Sequence, residues 1–301
     1  MYYRSLNEEL REKFGEKLYK LALDGGFTCP NRDGTIGSRG CTFCLGGSGS
    51  FAEGQCASVS EQIERAKRRV EKKNPSGKYI AYFQSYTNTY APVKRLEALF
   101  GEAIAHPDIA ALSVGTRPDC LPPEVLELLA RLNKIKPVWV ELGLQTIHEQ
   151  TAEKIRRGYD LSVFDKAVKD CKAAGLYTMV HMIIGLPGET PEMAAQTADY
   201  MGKSGADGIK LQLLHVLRGT DMAEQYAAGE FEVMSMEEYI SALEECVRRL
   251  PPQMTIHRLA GDGDKKYLLA PLWSADKKRV LNAVNGAFRR DNVVQGEHYE
   301  V

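Results

Sequence analysis

From residue 79 onward the chain alternates two apolar patterns. Short continuous apolar runs, several of them rich in β-branched residues, are followed by longer stretches with apolar residues every three or four positions. The runs predict strands at 79–84, 111–115, 138–144, 177–185 and 208–216, and the stretches predict helices at 93–105, 122–132, 148–157, 161–175 and 191–204. A strand at 17–23 and a helix at 59–73 precede them; Val59, Ile63, Ala66 and Val70 share one helix face, and Asn74-Pro75-Ser76-Gly77 stops it. Beyond residue 220 come a helix at 236–250, an extra strand candidate at 254–259 and a helix at 276–288. Continuous apolar strands belong where both faces are covered. Repeated strand–helix units imply a parallel sheet with right-handed crossovers. The six strands counted from the pattern are too few for a closed eightfold barrel, so the expected fold is α/β, a partial barrel or an open sheet. The division that follows is an N-terminal arm at 1–16, a barrel at 17–220 with a cysteine loop at 24–50, and a C-terminal extension at 221–301.

Composition changes this picture little. The 301 residues allow one barrel-sized domain, and 44% apolar with 26% charged residues is ordinary for a globular protein. Net charge is -1, so any nucleic-acid contact must come from a local patch. No apolar run approaches the roughly 20 residues of a membrane span. The N-terminus carries no apolar signal region, so a cytoplasmic protein without membrane partners is expected. In that compartment the seven cysteines are ligands or buried thiols rather than disulfides.

Three of them carry the first chemical signal. Cys29, Cys41 and Cys44 fall in one glycine-rich loop with the spacing C-x11-C-x2-C, directly after the first strand. Such a loop suits an ion or cluster that takes sulfur ligands, either zinc or iron–sulfur. A closed structural site wants four ligands and this loop offers three, which is the pattern of a reactive centre. Cys56, Cys120, Cys171 and Cys246 are scattered and read as small buried hydrophobes.

In barrels, ligands gather at the C-terminal ends of the strands. Gln84-Ser85-Tyr86-Thr87-Asn88-Thr89-Tyr90 follows the second strand and is dense in neutral hydrogen-bonding groups. After the third, Arg117 of Gly115-Thr116-Arg117-Pro118-Asp119 would bind a carboxylate or phosphate, or clamp Asp119 within its own loop. Glu141 lies inside an otherwise apolar fourth strand that runs on to Gln145, and a buried carboxylate needs a partner, such as a ligand amine or hydroxyl. The fifth strand holds His181 and ends at Ile184 and Gly185, whose lack of a side chain suits close approach to a flat ligand. On the sixth, Lys210 and Gln212 alternate with apolar residues and would meet substrate or an interior salt-bridge partner. His215, Arg218, His257 and Arg258 are further polar groups near the rim.

These residues together resemble the radical S-adenosylmethionine (SAM) superfamily, whose usual loop is C-x3-C-x2-C. The longer first gap is similar to that of relatives of the Elongator catalytic subunit. Cys29-Pro30-Asn31-Arg32-Asp33-Gly34, Tyr82-Phe83-Gln84-Ser85-Tyr86-Thr87-Asn88-Thr89, Gly115-Thr116-Arg117-Pro118-Asp119, Glu141-Leu142-Gly143-Leu144-Gln145, Gly185-Leu186-Pro187-Gly188-Glu189-Thr190, Gly261-Asp262 and Ala270-Pro271-Leu272-Trp273 look like its YtqA/YhcC-type branch. The resemblance implies a partial (β/α)6 TIM-type barrel of the radical SAM type. It implies a [4Fe-4S] cluster on Cys29, Cys41 and Cys44, with SAM on the remaining iron and a reducing donor such as flavodoxin or ferredoxin. Gln84 and Ser85 would replace the usual glycine-rich contact to the methionine amino group. Glu141 and Gln145 would reach SAM's amino, carboxylate or ribose groups. The backbone at Ile184 and Gly185 would pack on adenine, with Phe43 between adenine and cluster. The branch implies tRNA as substrate and conversion of a wobble 5-carboxymethylaminomethyluridine to 5-aminomethyluridine, with Arg117 or Lys210 meeting the carboxylate. Basic segments at 65–73, 156–157, 277–279 and 289–290 would meet tRNA phosphates. The competing readings are a radical SAM enzyme acting on a small molecule or porphyrin, and a non-catalytic zinc or iron–sulfur module.

Overall fold

The computed structural model describes residues 2–46, 52, 58–74, 77–261 and 263–300. Cys56, Pro75, Ser76 and Asp262, named above, lie outside the described residues.

The arm is a helix, α1 (Leu6–Phe14). Ser5 accepts from the Glu8 amide while the Glu8 carboxylate returns to the Ser5 amide, and Gly15 ends the helix in the left-handed conformation. The strands are β1 (Tyr19–Leu23), β2 (Tyr79–Phe83), β3 (Ile109–Thr116), β4 (Val138–Gln145), β5 (Tyr177–Ile184), β6 (Gly208–Leu213), β7 (Val216–Leu217), β8 (Thr255–Arg258) and β9 (Leu268–Ala270). Around them run α2 (Val59–Val70), α3 (Val93–Ala105), α4 (Pro123–Asn133), α5 (Glu149–Lys154), α6 (Leu161–Ala173), α7 (Pro191–Lys203), α8 (Asp221–Ala227), α9 (Met236–Arg249) and α10 (Lys277–Arg290).

Seven strands form one parallel sheet in the order β1-β2-β3-β4-β5-β6-β8. The sheet curls into a half-barrel, and its side chains show this directly. Lys20 of β1 touches Glu141 of β4, three strands away, where a flat sheet would separate them by about 14 Å. Lys210 of β6 reaches the same carboxylate at 2.5 Å. The outer face of the sheet packs its apolar residues on the helices, with Phe83, Phe100, Leu128, Phe164 and Leu243 fully buried there. The N-terminal end of the bore is plugged by α1, whose Leu10 joins Leu18, Ile80, Ala111 and Trp139.

Three features go beyond the sequence pattern. The candidate at 254–259 is a seventh strand, β8, placed beside β6 by the α9 crossover and bridged on its far side by Ser5. The run predicted at 208–216 divides after Leu213, because Val216 and Leu217 leave to pair antiparallel with β9. α8, capped by Thr220, is too short for periodicity to mark. Cys120, Cys171 and Cys246 are buried, and among the described residues no helix is long and apolar enough to cross a membrane.

Candidate active site

β1 leads into the loop that carries Cys29, Cys41 and Cys44, and the long insert between the first two folds back on itself. The amides of Ile36 and Gly37 donate to Pro30 O at 2.8 and 3.3 Å, and Gly40 N donates to Asn31 O at 2.7 Å. Gly40 has φ +75, and a Cβ there would stand 2.7 Å from Arg32 Nε, so the loop needs glycine where the guanidinium crosses it. Arg32 then donates to the carbonyl of Cys44. Outside contacts fix the loop to the barrel. Asn31 Nδ2 donates to Arg156 O at 2.6 Å and faces Cys41 Sγ at 3.6 Å, while Thr42 N donates to Ile155 O at 3.1 Å. The C-terminal extension holds the other side, where Met222 N donates to Thr42 O at 3.0 Å and Asp221 pairs with both Arg39 and Arg156.

The three cysteines open onto a cavity of about 410 Å³ at the C-terminal ends of the strands. Phe43, Gln84, Arg117, Glu141, Gln145 and Lys210 line it with them. The other three proposed contacts do not. Ser85 is buried beside Gln84, Ile184 is buried in the core, and a Cβ on Gly185 would meet Met234 Sδ at 3.3 Å. The close approach that Gly185 permits is therefore made by the chain before α9.

Below the cavity lies a buried ionic cluster. Glu141 is fully buried and accepts from four groups: Lys20, Ser113 Oγ at 2.6 Å, Lys210 Nζ at 2.5 Å and His181 Nε2 at 2.8 Å. Both of its oxygens thus have partners among the protein's own side chains. Burial favours its neutral form, but Lys20 and Lys210, with His181, hold the carboxyl well below its usual range. Burial pushes the Lys210 amine down to about 7, opposed by Glu141 and reinforced by Lys20 and Arg258. His181 is pushed down to about 4, first by burial and then by Lys210, so it is a neutral imidazole at pH 7. Lys210 also donates to Tyr82 Oη at 3.1 Å. Sequence reasoning overlooked Lys20, Ser113 and Tyr82. Lys20 was visible as the polar residue on the inward side of a short strand, but its partner three strands away was not.

Arg117 forms a bidentate pair with Asp119, at 2.9 and 2.8 Å, and donates to Arg157 O at 2.8 Å. It serves as the clamp of its own loop, and its guanidinium is held by these partners beside Cys29 and Cys41. Burial would lower its pKa, yet Asp119 keeps it above the ordinary value. Of the basic pair 156–157, Arg157 is 2% exposed and bound to Glu149, and Arg156 is held by Asp221. Arg156 keeps 31% of its side chain accessible, whereas Arg157 is committed to the interior.

One observation tests the site against an iron–sulfur cluster with SAM. Gln145 sits at φ +72 in the left-handed region, and its buried Oε1 has no partner although it lines the cavity. A Cβ on Gly143 would stand 2.8 Å from Gln145 Nε2, so the neighbouring glycine makes room for that amide. An orphaned acceptor on a strained residue is a polar group awaiting a donor. Burial pushes the Cys41 thiol up to about 11, so ligation would have to draw off its proton.

Comparison with known proteins agrees with this geometry. Residues 33–201 match the radical SAM superfamily, and residues 206–290 match the Radical_SAM C-terminal domain. The uncharacterized protein YtqA of Bacillus subtilis is 43% identical over 99% of this chain and 93% of its own length. Protein YhcC of Escherichia coli is 40% identical over 89% of this chain and 86% of its own. A tRNA uridine(34) acetyltransferase of Methanocaldococcus infernus is 29% identical over 50% of this chain and 28% of its own. Among solved structures, the archaeal Elp3 of Methanocaldococcus infernus superposes with a TM-score of 0.69 at 18% identity, covering 92% of this chain and 64% of that one. The cofactors of the matched superfamily, a [4Fe-4S] cluster and SAM, fit the three thiols and the cavity behind them. The chain belongs to the radical SAM superfamily, in its YtqA/YhcC-type branch.

Proposed function

We propose that this radical SAM enzyme acts on the wobble uridine of tRNA, converting 5-carboxymethylaminomethyl(-2-thio)uridine to 5-aminomethyl(-2-thio)uridine. One observation carries the reading: three cysteines open onto a cavity whose wall holds Lys210 and Arg258 together with the carboxylates Glu141 and Asp264. A substrate arm ending in a carboxylate suits that wall. The likeness of half the chain to a tRNA uridine(34) acetyltransferase supports tRNA as the carrier of that arm.

When bound, the cluster and SAM would supply hydrogen-atom abstraction, directed at the methylene between the amine and the carboxylate. Cys29, Cys41 and Cys44 are the proposed cluster ligands. Phe43, Gln84 and Gln145 line the space for SAM, with Ser85, Ile184 and Gly185 behind it. Lys210 is the proposed partner of the substrate carboxylate, and with an amine near neutrality it can release or accept a proton at Nζ. Glu141 holds Lys210 in place, and Arg117 fixes the loop beside the cysteines. Loss of that hydrogen atom, then of one electron to a one-electron acceptor such as oxidised flavodoxin or ferredoxin and of the N–H proton, would leave the substrate as an imine, which water splits into the amine and a two-carbon oxo acid.

The test is an anaerobic incubation of the iron-loaded protein with SAM, dithionite and tRNA carrying the carboxymethylaminomethyl nucleoside. The reading expects 5′-deoxyadenosine and 5-aminomethyluridine to form together. Deoxyadenosine without any change in the nucleoside would sink it.

A further inference from the structure

The curled sheet leaves a gap between its two edge strands, β1 and β8. Under α1 and α2, at this seam, lies a second cavity of about 340 Å³. Both edges line it, with Lys20 from β1 and Arg258 and the neutral imidazole of His257 from β8, and Arg69 of α2 and Lys210 of β6 complete its basic wall. Among the described residues that line it, the charged side chains are all basic; no Asp or Glu belongs to the wall. This is a local property, because the whole chain carries a net charge of -1.

The arrangement is graded from outside to inside. Arg69 is exposed, Lys20 keeps 18% of its side chain accessible, and Lys210 keeps 6%. The seam cavity also shares Tyr82, Gln84, Lys210 and Arg258 with the cysteine cavity, so a ligand on the seam side would lie one side chain from the reacting centre. Inside, Lys20 and Lys210 lean on one carboxylate, Glu141, which lies behind the wall. Two lysines that share one carboxylate, beside the guanidinium of Arg258, set a local basic field that an added anion would meet.

We propose that the seam cavity is a binding site for a small oxyanion, a carboxylate or phosphate group, held by Lys20, Lys210 and Arg258 with Arg69 at its mouth. The site does not depend on tRNA being the substrate. Two sources share its chemistry: the anionic arm of a substrate reaching through from the cysteine cavity, and a free small acid or phosphate entering or leaving by the seam.

The experiment is calorimetric titration of the intact protein with acetate and, separately, with inorganic phosphate, in a low-chloride buffer free of both. The proposal expects saturable binding of at least one anion in the millimolar range. It expects that binding to weaken tenfold or more in Arg258→Gln and in Arg69→Gln. Arg131→Gln, on the remote α4 surface where Arg131 pairs with Glu97, should bind as the parent does. Binding of acetate alone assigns the site to a carboxylate, and binding of phosphate alone to a phosphoryl group. Should Arg258→Gln not fold, the exposed Arg69→Gln decides. No saturable binding of either anion, or unchanged binding in Arg69→Gln, overturns the proposal.

Discussion

Glu141→Gln is the perturbation that bears most directly on how the barrel interior is held together. The native carboxylate is fully buried and accepts from Lys20, Ser113, Lys210 and His181. The amide keeps the shape, removes the charge, and turns an NH2 toward groups that are themselves donors. Removing one partner of a buried ion pair costs about 3–5 kcal/mol, and the loss expected at pH 7 is of that size. Its pH dependence follows from the lysines. Lys210, already lowered to about 7 although Glu141 opposes the shift, is pushed lower once that carboxylate is lost, so near pH 7 it is partly charged in the parent and neutral in the variant, which also narrows the deficit as pH rises. The charge stranded by the variant is then mainly that of Lys20. A stranded Lys20 is neutral in the fold and charged in the unfolded chain, so the unfolded state binds more protons and the variant's stability rises with pH. The deficit should shrink by up to about 1.4 kcal/mol per pH unit between pH 7 and 9. Anaerobic urea unfolding of parent and variant at pH 7, 8 and 9 reads this out. A deficit below about 1 kcal/mol, or one constant in pH, refutes the reasoning.

Other predictions follow from single sites. Cys29→Ala, Cys41→Ala and Cys44→Ala should each abolish 5′-deoxyadenosine formation and the iron–sulfur absorbance, whereas Cys171→Ala and Cys246→Ala, in the packed core, should cost about 1 kcal/mol and keep both. His181, lowered to about 4 by burial and by Lys210, should show no imidazolium signal by NMR above pH 5. Because the unfolded chain binds a proton there below about 6.5 while the fold does not, stability should fall as pH drops from that point toward 4. Gln145→Gly should relieve the left-handed backbone and raise stability by about 1 kcal/mol, while weakening SAM binding measured by equilibrium dialysis. Unchanged SAM affinity in that variant would remove Gln145 from the cofactor site.

The barrel was legible because its strands are apolar runs buried on both faces, as in β2, where all five residues are buried. The cysteine loop was legible from spacing alone. What the chain pattern could not carry was pairing across the bore. Glu141 announced a need for partners, but Lys20 and Lys210 come from strands on either side of it, and nothing local to any of them encodes the meeting. Arg117 and Asp119 left two outcomes open, since a two-residue spacing allows either a clamp or a ligand site; the structure closes the clamp. Gly185 promised close approach, and the partner is Met234, a side chain some fifty residues further on. β8 is four residues long and was readable only as a candidate, because its place in the sheet depends on the α9 crossover and on Ser5.

The most direct test of the tRNA assignment is nucleoside analysis of bulk tRNA from a strain lacking this protein. The account predicts that 5-carboxymethylaminomethyl(-2-thio)uridine accumulates and that 5-aminomethyl(-2-thio)uridine and the nucleosides made from it disappear. A wobble-nucleoside profile identical to that of the parent strain would contradict it.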